Sequence, residues 1–185
     1  MTSWEDYYRA IEGRKPRPLF LQALGFVPER GTAIDLGCGD GTETLALLAD
    51  GWTVLAVDAA PEGIGRFGSS QRLTTIVARF HELDLPQADF VYAGLSLPFC
   101  APGDFAEAWR RITRAVLPGG ILAAHFFGPK DTWADNSDMT FHTRAEVDAL
   151  FDGFDVLRFE EQDEDGQAVS GPKHWHVFHV IAAKR

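Results

Sequence analysis

The chain has 185 residues, a formal net charge of −10, 45% hydrophobic and 24% charged residues. These values suit a globular fold with a sizeable core, and the length suits one domain spanning residues 1–185. The acidic balance excludes a broad basic nucleic-acid footprint and disfavours anionic membranes.

Helix is expected over residues 1–30, interrupted by Lys15-Pro16-Arg17-Pro18 and resumed over 19–24, where Gly25 ends it. This opening stretch is polar and aromatic rather than a signal peptide, and no run reaches the roughly 18 apolar residues of a membrane span. A cytoplasmic protein is the expectation. A first strand at 32–36 runs into Gly37-Cys38-Gly39-Asp40-Gly41, and a helix follows over about 41–50 with Leu45, Leu48 and Ala49 at helical spacing. The second strand, 53–58, is a near-continuous apolar run of the kind buried in parallel sheets. Pro61 opens a short helix, and residues 73–78 form a third strand. The fourth strand, 89–93, precedes a helix capped by Gly103 or Asp104, with Phe105, Ala108, Ile112 and Val116 on one face. Pro118-Gly119-Gly120 reads as a turn and 121–127 as the fifth strand. Thr143 to Glu146 has capping-box spacing for a helix through Phe151. Two last strands, 154–159 and 174–182, are expected to flank an acidic hairpin loop.

Strands alternating with helices imply an α/β fold: a doubly wound, mostly parallel seven-stranded sheet with helices on both faces. No helix separates the last two strands, so the C-terminal hairpin strand runs antiparallel. That ending is not the common dinucleotide-dehydrogenase layout.

A strand, a glycine-rich turn and a helix make a nucleotide-binding corner. The dinucleotide fingerprint is G-x-G-x-x-G, with pyrophosphate at the helix N-terminus. This chain has G-x-G-x-G in acidic surroundings, with Asp35, Asp40 and Glu43 close by. Such carboxylates repel a pyrophosphate and favour an ammonium or sulfonium. Asp58 ends the second strand, where an acid that accepts from ribose hydroxyls belongs. A nucleoside with a cationic tail fits best, and S-adenosylmethionine is such a molecule.

The stretch 35–41 resembles the first motif of the class I S-adenosylmethionine-dependent methyltransferases. Asp58 matches that family's ribose-binding acid, 88–93 resembles its fourth strand, and Leu117-Pro118-Gly119-Gly120-Ile121-Leu122 resembles the turn before its fifth. The resemblance runs from about Arg30 to the C-terminus, and the compact size is similar to the small-molecule and tellurite-resistance type. It implies a Rossmann-like methyltransferase fold. It also implies S-adenosylmethionine as methyl donor, S-adenosylhomocysteine as product, and no metal. The apolar run 94–99, the acidic balance and the lack of room for a separate substrate domain suggest a small, partly apolar acceptor rather than nucleic acid or membrane. Gly37, Cys38 and Gly39 would lie along the methionine part, with Asp35 near its amino group. Asp58 would hold the ribose, Ala59 would lie under the adenine, and Gly94 and Leu95 would approach the methyl end. Many relatives carry an acid after the third strand that binds the adenine amino group. Here the segment is Ala78-Arg79-Phe80-His81, so adenine recognition would fall to main-chain groups and Phe80.

Other groups have a plain reading beside the chemical one. His125, Ser96 and Tyr7 are the candidate acceptor-side groups, and His125 is equally a core histidine. Trp4, Tyr7 and Tyr8 suit core packing, with a lid over the cofactor as the alternative. Arg14 and Arg17 could pair with the cofactor carboxylate or be surface basics. His174 and His176 share a strand face while His179 points away, which suits polar strand residues better than metal ligands. Neither Cys38 nor Cys100 sits in a zinc or disulfide pattern, and Cys100 reads as a small buried hydrophobe. An NAD(P)-dependent oxidoreductase and a noncatalytic module that binds S-adenosylmethionine or S-adenosylhomocysteine are the alternative functions.

Overall fold

The computed structural model describes residues 3–65 and 67–185. Two short helices, α1 (Trp4–Ala10) and α2 (Pro18–Leu24), precede an alternation of β1 (Thr32–Leu36), α3 (Thr42–Ala49), β2 (Thr53–Asp58), α4 (Pro61–Ile64), β3 (Leu73–Val77), β4 (Ala88–Ala93), α5 (Pro102–Ala115) and β5 (Val116–Phe127). Helix α6 (Arg144–Leu150) and strands β6 (Phe154–Ala168) and β7 (Gly171–Lys184) complete the chain. The strands form one sheet in the order β3-β2-β1-β4-β5-β7-β6. Pairing is parallel from β3 to β5 and antiparallel at β7 and β6. The strand order reverses between β1 and β4, the position where open α/β sheets bind ligands.

Side-chain alternation sorts the core into two layers. Ile34, Leu36, Val91, Leu122 and Phe126 pack with Phe105, Trp109 and Ile112 of α5. Ala33, Phe90 and Tyr92 face Leu19 and Phe20 of α2, with Trp52 beside them. The Phe90 ring lies 6.0 Å from Phe20 and 5.9 Å from Trp52, within the range of favourable aromatic pairing.

The structure departs from the sequence expectation at four places. On α3, Glu43, Thr44 and Leu47 are buried while Leu45 is exposed, because polar partners on the sheet and N-terminal segment fix the helix's inward face. Helix α5 starts at Pro102 without a side-chain cap; proline is already set for the first helical position. β5 begins at Val116, and the Pro-Gly-Gly turn is an irregularity within it: Ala88 pairs with Val116 and Phe90 with Ile121. The acidic stretch 160–165 is strand rather than loop. Each residue pairs with β7, with Glu160 opposite His179 and Asp165 opposite His174, and the turn comes only at Val169-Ser170.

Charged side chains suit β6 because it is a sheet edge, where they deter pairing with other chains. The β6 amides bonded to β7 across 160–166 are therefore expected to exchange slowly in hydrogen–deuterium exchange. Rapid exchange throughout that stretch would restore the loop reading.

Candidate functional site

The glycine turn lies at the C-terminal edge of the sheet. Register places Leu36 opposite Val57, which brings the end of β1 level with Asp58. The Val57 carbonyl accepts from the Gly37 amide at 2.7 Å and the Cys38 amide at 3.0 Å. The Asp58 carboxylate accepts from the Gly39 amide at 2.8 Å and from the Ala60 amide at 2.8 Å. Gly37 and Gly39 have φ of 70° and 51°, a region where a side chain is strained. Space forbids one too, since a Cβ at Gly37 would meet Ser96 at 2.2 Å.

Four carboxylates converge here. Asp35 is buried and accepts from the Thr44 hydroxyl at 2.6 Å. Burial, followed by the charge of Glu43, pushes its pKa up to about 7. Burial also raises the Asp58 carboxyl. Asp40 and Glu43 stand at the first turn of α3 and share the Arg14 guanidinium, at 2.7 Å to Asp40 and 2.7 Å to Glu43 Oε1. Arg14 is therefore committed to the turn. The Arg17 side chain is half-buried and makes no hydrogen bond or ion pair among the described residues, and its charge acts on His125 and Tyr92.

The fourth strand delivers Gly94, Leu95 and Ser96. Ser96 Oγ donates to the Leu36 carbonyl at 2.7 Å. Leu95 has φ of 56°, uncommon for a side chain without a local polar partner, and its amide donates to His125 Nδ1 at 3.2 Å. His125 is buried, and burial holds its pKa well below the usual histidine range. It is a neutral ring whose Nδ1 accepts, so Nε2 carries the proton.

Phe80 comes within 3.6 Å of the Cβ position of Gly37, and Ala59 is exposed at the end of β2. Tyr7 packs on Trp4 and Tyr8, one ring removed from the turn. Tyr8 reaches it: its ring edge would meet a Gly39 Cβ at 3.1 Å, and its hydroxyl approaches Asp58 Oδ1 at 3.5 Å. Burial and the Asp58 charge raise its pKa, so the phenol keeps its proton and donates. The sequence suggests core packing for Tyr8, with a lid as the alternative, and does not single out Tyr92. The Tyr92 hydroxyl is buried without a hydrogen-bond partner, and a Cβ at Gly94 would lie 2.4 Å from it. The available signal was a phenol following the apolar pair Phe90-Val91 near the C-terminal end of β4.

Away from the turn, Glu161, Asp163 and His176 bring potential metal-binding atoms within 4.8 Å of one another. His176 Nδ1 accepts from the Lys130 amide at 3.1 Å, which leaves the proton on Nε2, facing Glu161 at 3.0 Å. Asp163 is held by Lys130 and His174. This group reads as a hydrogen-bonded cross-strand network.

Residues 34–124 match the family described as a methyltransferase domain. An uncharacterized methyltransferase of Synechocystis sp. is 33% identical over 107 residues, which cover 56% of this chain and 50% of that protein. A carboxy-S-adenosyl-L-methionine synthase of Photorhabdus laumondii is 30% identical over 108 residues, covering 52% of this chain and 43% of that protein. The chain thus spans half or less of the length of these curated relatives. TehB from Haemophilus influenzae superposes with a TM-score of 0.78 at 15% identity, covering 99% of this chain and 68% of that one, a likeness of fold.

The raised Asp35 pKa has a pH signature. Between the unfolded value of about 3.9 and the folded value of about 7, the folded state binds the extra proton, so stability falls as pH rises. Asp35→Asn removes that slope. In denaturant titrations the variant should gain on the wild type from pH 4 to pH 7; parallel curves would contradict the buried, proton-bearing carboxyl.

Proposed function

The chain belongs to the class I S-adenosylmethionine-dependent methyltransferase superfamily, and we propose that it transfers a methyl group from S-adenosylmethionine to a small, partly apolar acceptor. The observation that carries this reading is the electrostatics of the turn. A dinucleotide would place pyrophosphate at the N-terminus of α3, but Asp40 and Glu43 stand there, held by Arg14. What the turn still offers is Asp35, Asp58 and a glycine-lined backbone, which suit an ammonium, a ribose and a methionine chain.

The residues fit such a donor. Gly37, Cys38 and Gly39 would run beneath the methionine chain, with Asp35 toward its ammonium. Asp58 would accept from the ribose hydroxyls as Tyr8 yields its place, and Ala59 and Phe80 would flank the adenine. The buried Tyr92 hydroxyl and the Arg17 guanidinium, unpaired among the described residues, are suited to its carboxylate, a task Arg14 is too heavily engaged to take. When bound, the sulfonium supplies an activated methyl group: the C–S bond breaks with its electron pair on sulfur, and an acceptor lone pair forms the new bond. The chain's task is then to align donor and acceptor and exclude water. His125 fixes the strained Leu95 beside Gly94 and is a positioning residue here. Ser96 ties that segment to β1, and Tyr7 backs the Trp4–Tyr8 cover.

No helix among the described residues is long and apolar enough to cross a membrane, and a cytoplasmic setting belongs to the same proposal. Titration calorimetry is expected to show binding of S-adenosylmethionine and S-adenosylhomocysteine but not NAD. Asp58→Ala should weaken S-adenosylhomocysteine about 10- to 100-fold, as the loss of a charged hydrogen-bond acceptor entails. Binding of NAD with neither sulfur nucleoside would overturn the reading; unchanged affinity in the variant would remove Asp58 from the ribose.

A further inference from the structure

Past the end of β4, where Leu95 packs against the cluster of Phe127, Met139 and Trp133, lies an open cavity of about 420 Å³, lined by Phe99, Thr132, Trp133, Asp135, Asn136 and Met139. Its walls come from the segments after β4 and β5. They are pinned together: the Thr140 amide donates to the Pro98 carbonyl at 2.9 Å, and the Thr140 hydroxyl donates to the Cys100 carbonyl at 2.6 Å. Ser96 touches Gly37, and Phe99 follows it after a single 3-10 turn, about 6 Å of chain rise. A row of rings also joins the two places. Tyr8 lies on Gly39, Trp4 stacks on Tyr8 at 6.1 Å, Phe99 meets Trp4 at 5.2 Å, and Trp133 meets Phe99 at 6.3 Å.

Trp133 is held from behind. The Asp131 carboxylate accepts from its amide at 3.0 Å and pairs with buried Lys173. The Lys173 ammonium lies 4.0 Å from the Trp133 ring and 4.4 Å from Trp175. That cation-filled cage fixes one aromatic wall. The polar equipment differs in kind. Thr132 Oγ is taken by the His174 amide, which donates to it at 2.8 Å. Asn136 Oδ1 accepts from the Asp138 amide at 3.0 Å. The Asp135 carboxylate, at the exposed rim, makes no hydrogen bond or ion pair among the described residues.

We propose that this cavity is the acceptor site and that it takes a planar aromatic ring bearing an ammonium or N–H donor, the ring lying against the aromatic wall that Phe99 and Trp133 form together and the nitrogen on Asp135. This rests on the methyltransferase reading and narrows its substrate class. Aromatic walls favour flat rings, and cations gain further from their faces. An unpaired carboxylate in a chain of net charge −10 selects against anionic acceptors.

The test is calorimetry with tryptamine, indole-3-acetate and 2-cyclohexylethylamine, on the free protein and on protein saturated with S-adenosylhomocysteine. Tryptamine is expected to bind at least about tenfold tighter than either of the others, the worth of one charge-assisted contact. Asp135→Asn should erase the preference over indole-3-acetate, and Trp133→Leu the preference over the cyclohexyl amine. Equal binding of the three probes, or none, in protein that binds S-adenosylhomocysteine overturns this proposal alone. A retained tryptamine preference in protein that binds no sulfur nucleoside supports the cavity's selectivity and overturns the methyl-donor reading.

Discussion

The rest of the structure hangs on the carboxylate of Asp58. It closes β2 and reaches across to the neighbouring strand, taking the Gly39 amide on one oxygen and the Ala60 amide on the other. Two backbone segments that would splay apart at the sheet edge are thereby tied into one corner. The tie needs a left-handed backbone at Gly37 and Gly39, and it needs β1 and β2 in a register that sets their ends level. Both are met by short, apolar, β-branched strands entering a glycine turn. The remaining acids are arranged around that corner: Asp35 is tied to Thr44, and Asp40 and Glu43 share Arg14.

Much of this was legible in the amino-acid order. Apolar runs broken by glycine and proline mark β1, β2 and β4 within a residue, because buried parallel strands leave little room for polar residues. The spacing from the glycine turn to Asp58 marks the corner for the same reason: both ends are set by strand length. What escaped was set by tertiary contact. The acidic stretch 160–165 has the composition of a solvated loop, yet it is a strand because histidines and a lysine across β7 and after β5 meet its charges. The inward face of α3 carries Glu43 and Thr44 rather than Leu45, since Arg14 and Asp35 outweigh a methyl-rich alternative. A single sequence shows two arginines flanking Pro16 but not which turns to the acids; the fold gives Arg14 to them and leaves Arg17 for other work.

Two kinds of buried polarity divide the labour. Lys173 and Asp131 satisfy each other beneath three aromatic rings, which suits a fixed wall. Asp35 and Tyr92 are buried without full partners, Asp35 with its pKa raised to about 7 and Tyr92 with its hydroxyl unbonded among the described residues. Unmet polar groups are costly in a folded chain, and they cluster where β1 and β4 end, at the reversal of strand order. The site's chemistry and the fold's topology therefore point to the same few residues.

The central claim, that this corner holds a sulfur nucleoside, is tested most directly by a high-resolution crystal structure of the protein with S-adenosylhomocysteine. The expected result is ribose hydroxyls on the Asp58 carboxylate, the amino acid part along Gly37 to Gly39, and the Tyr8 hydroxyl displaced from Asp58. A nucleoside bound away from the turn, with the Tyr8–Asp58 contact intact, would contradict it.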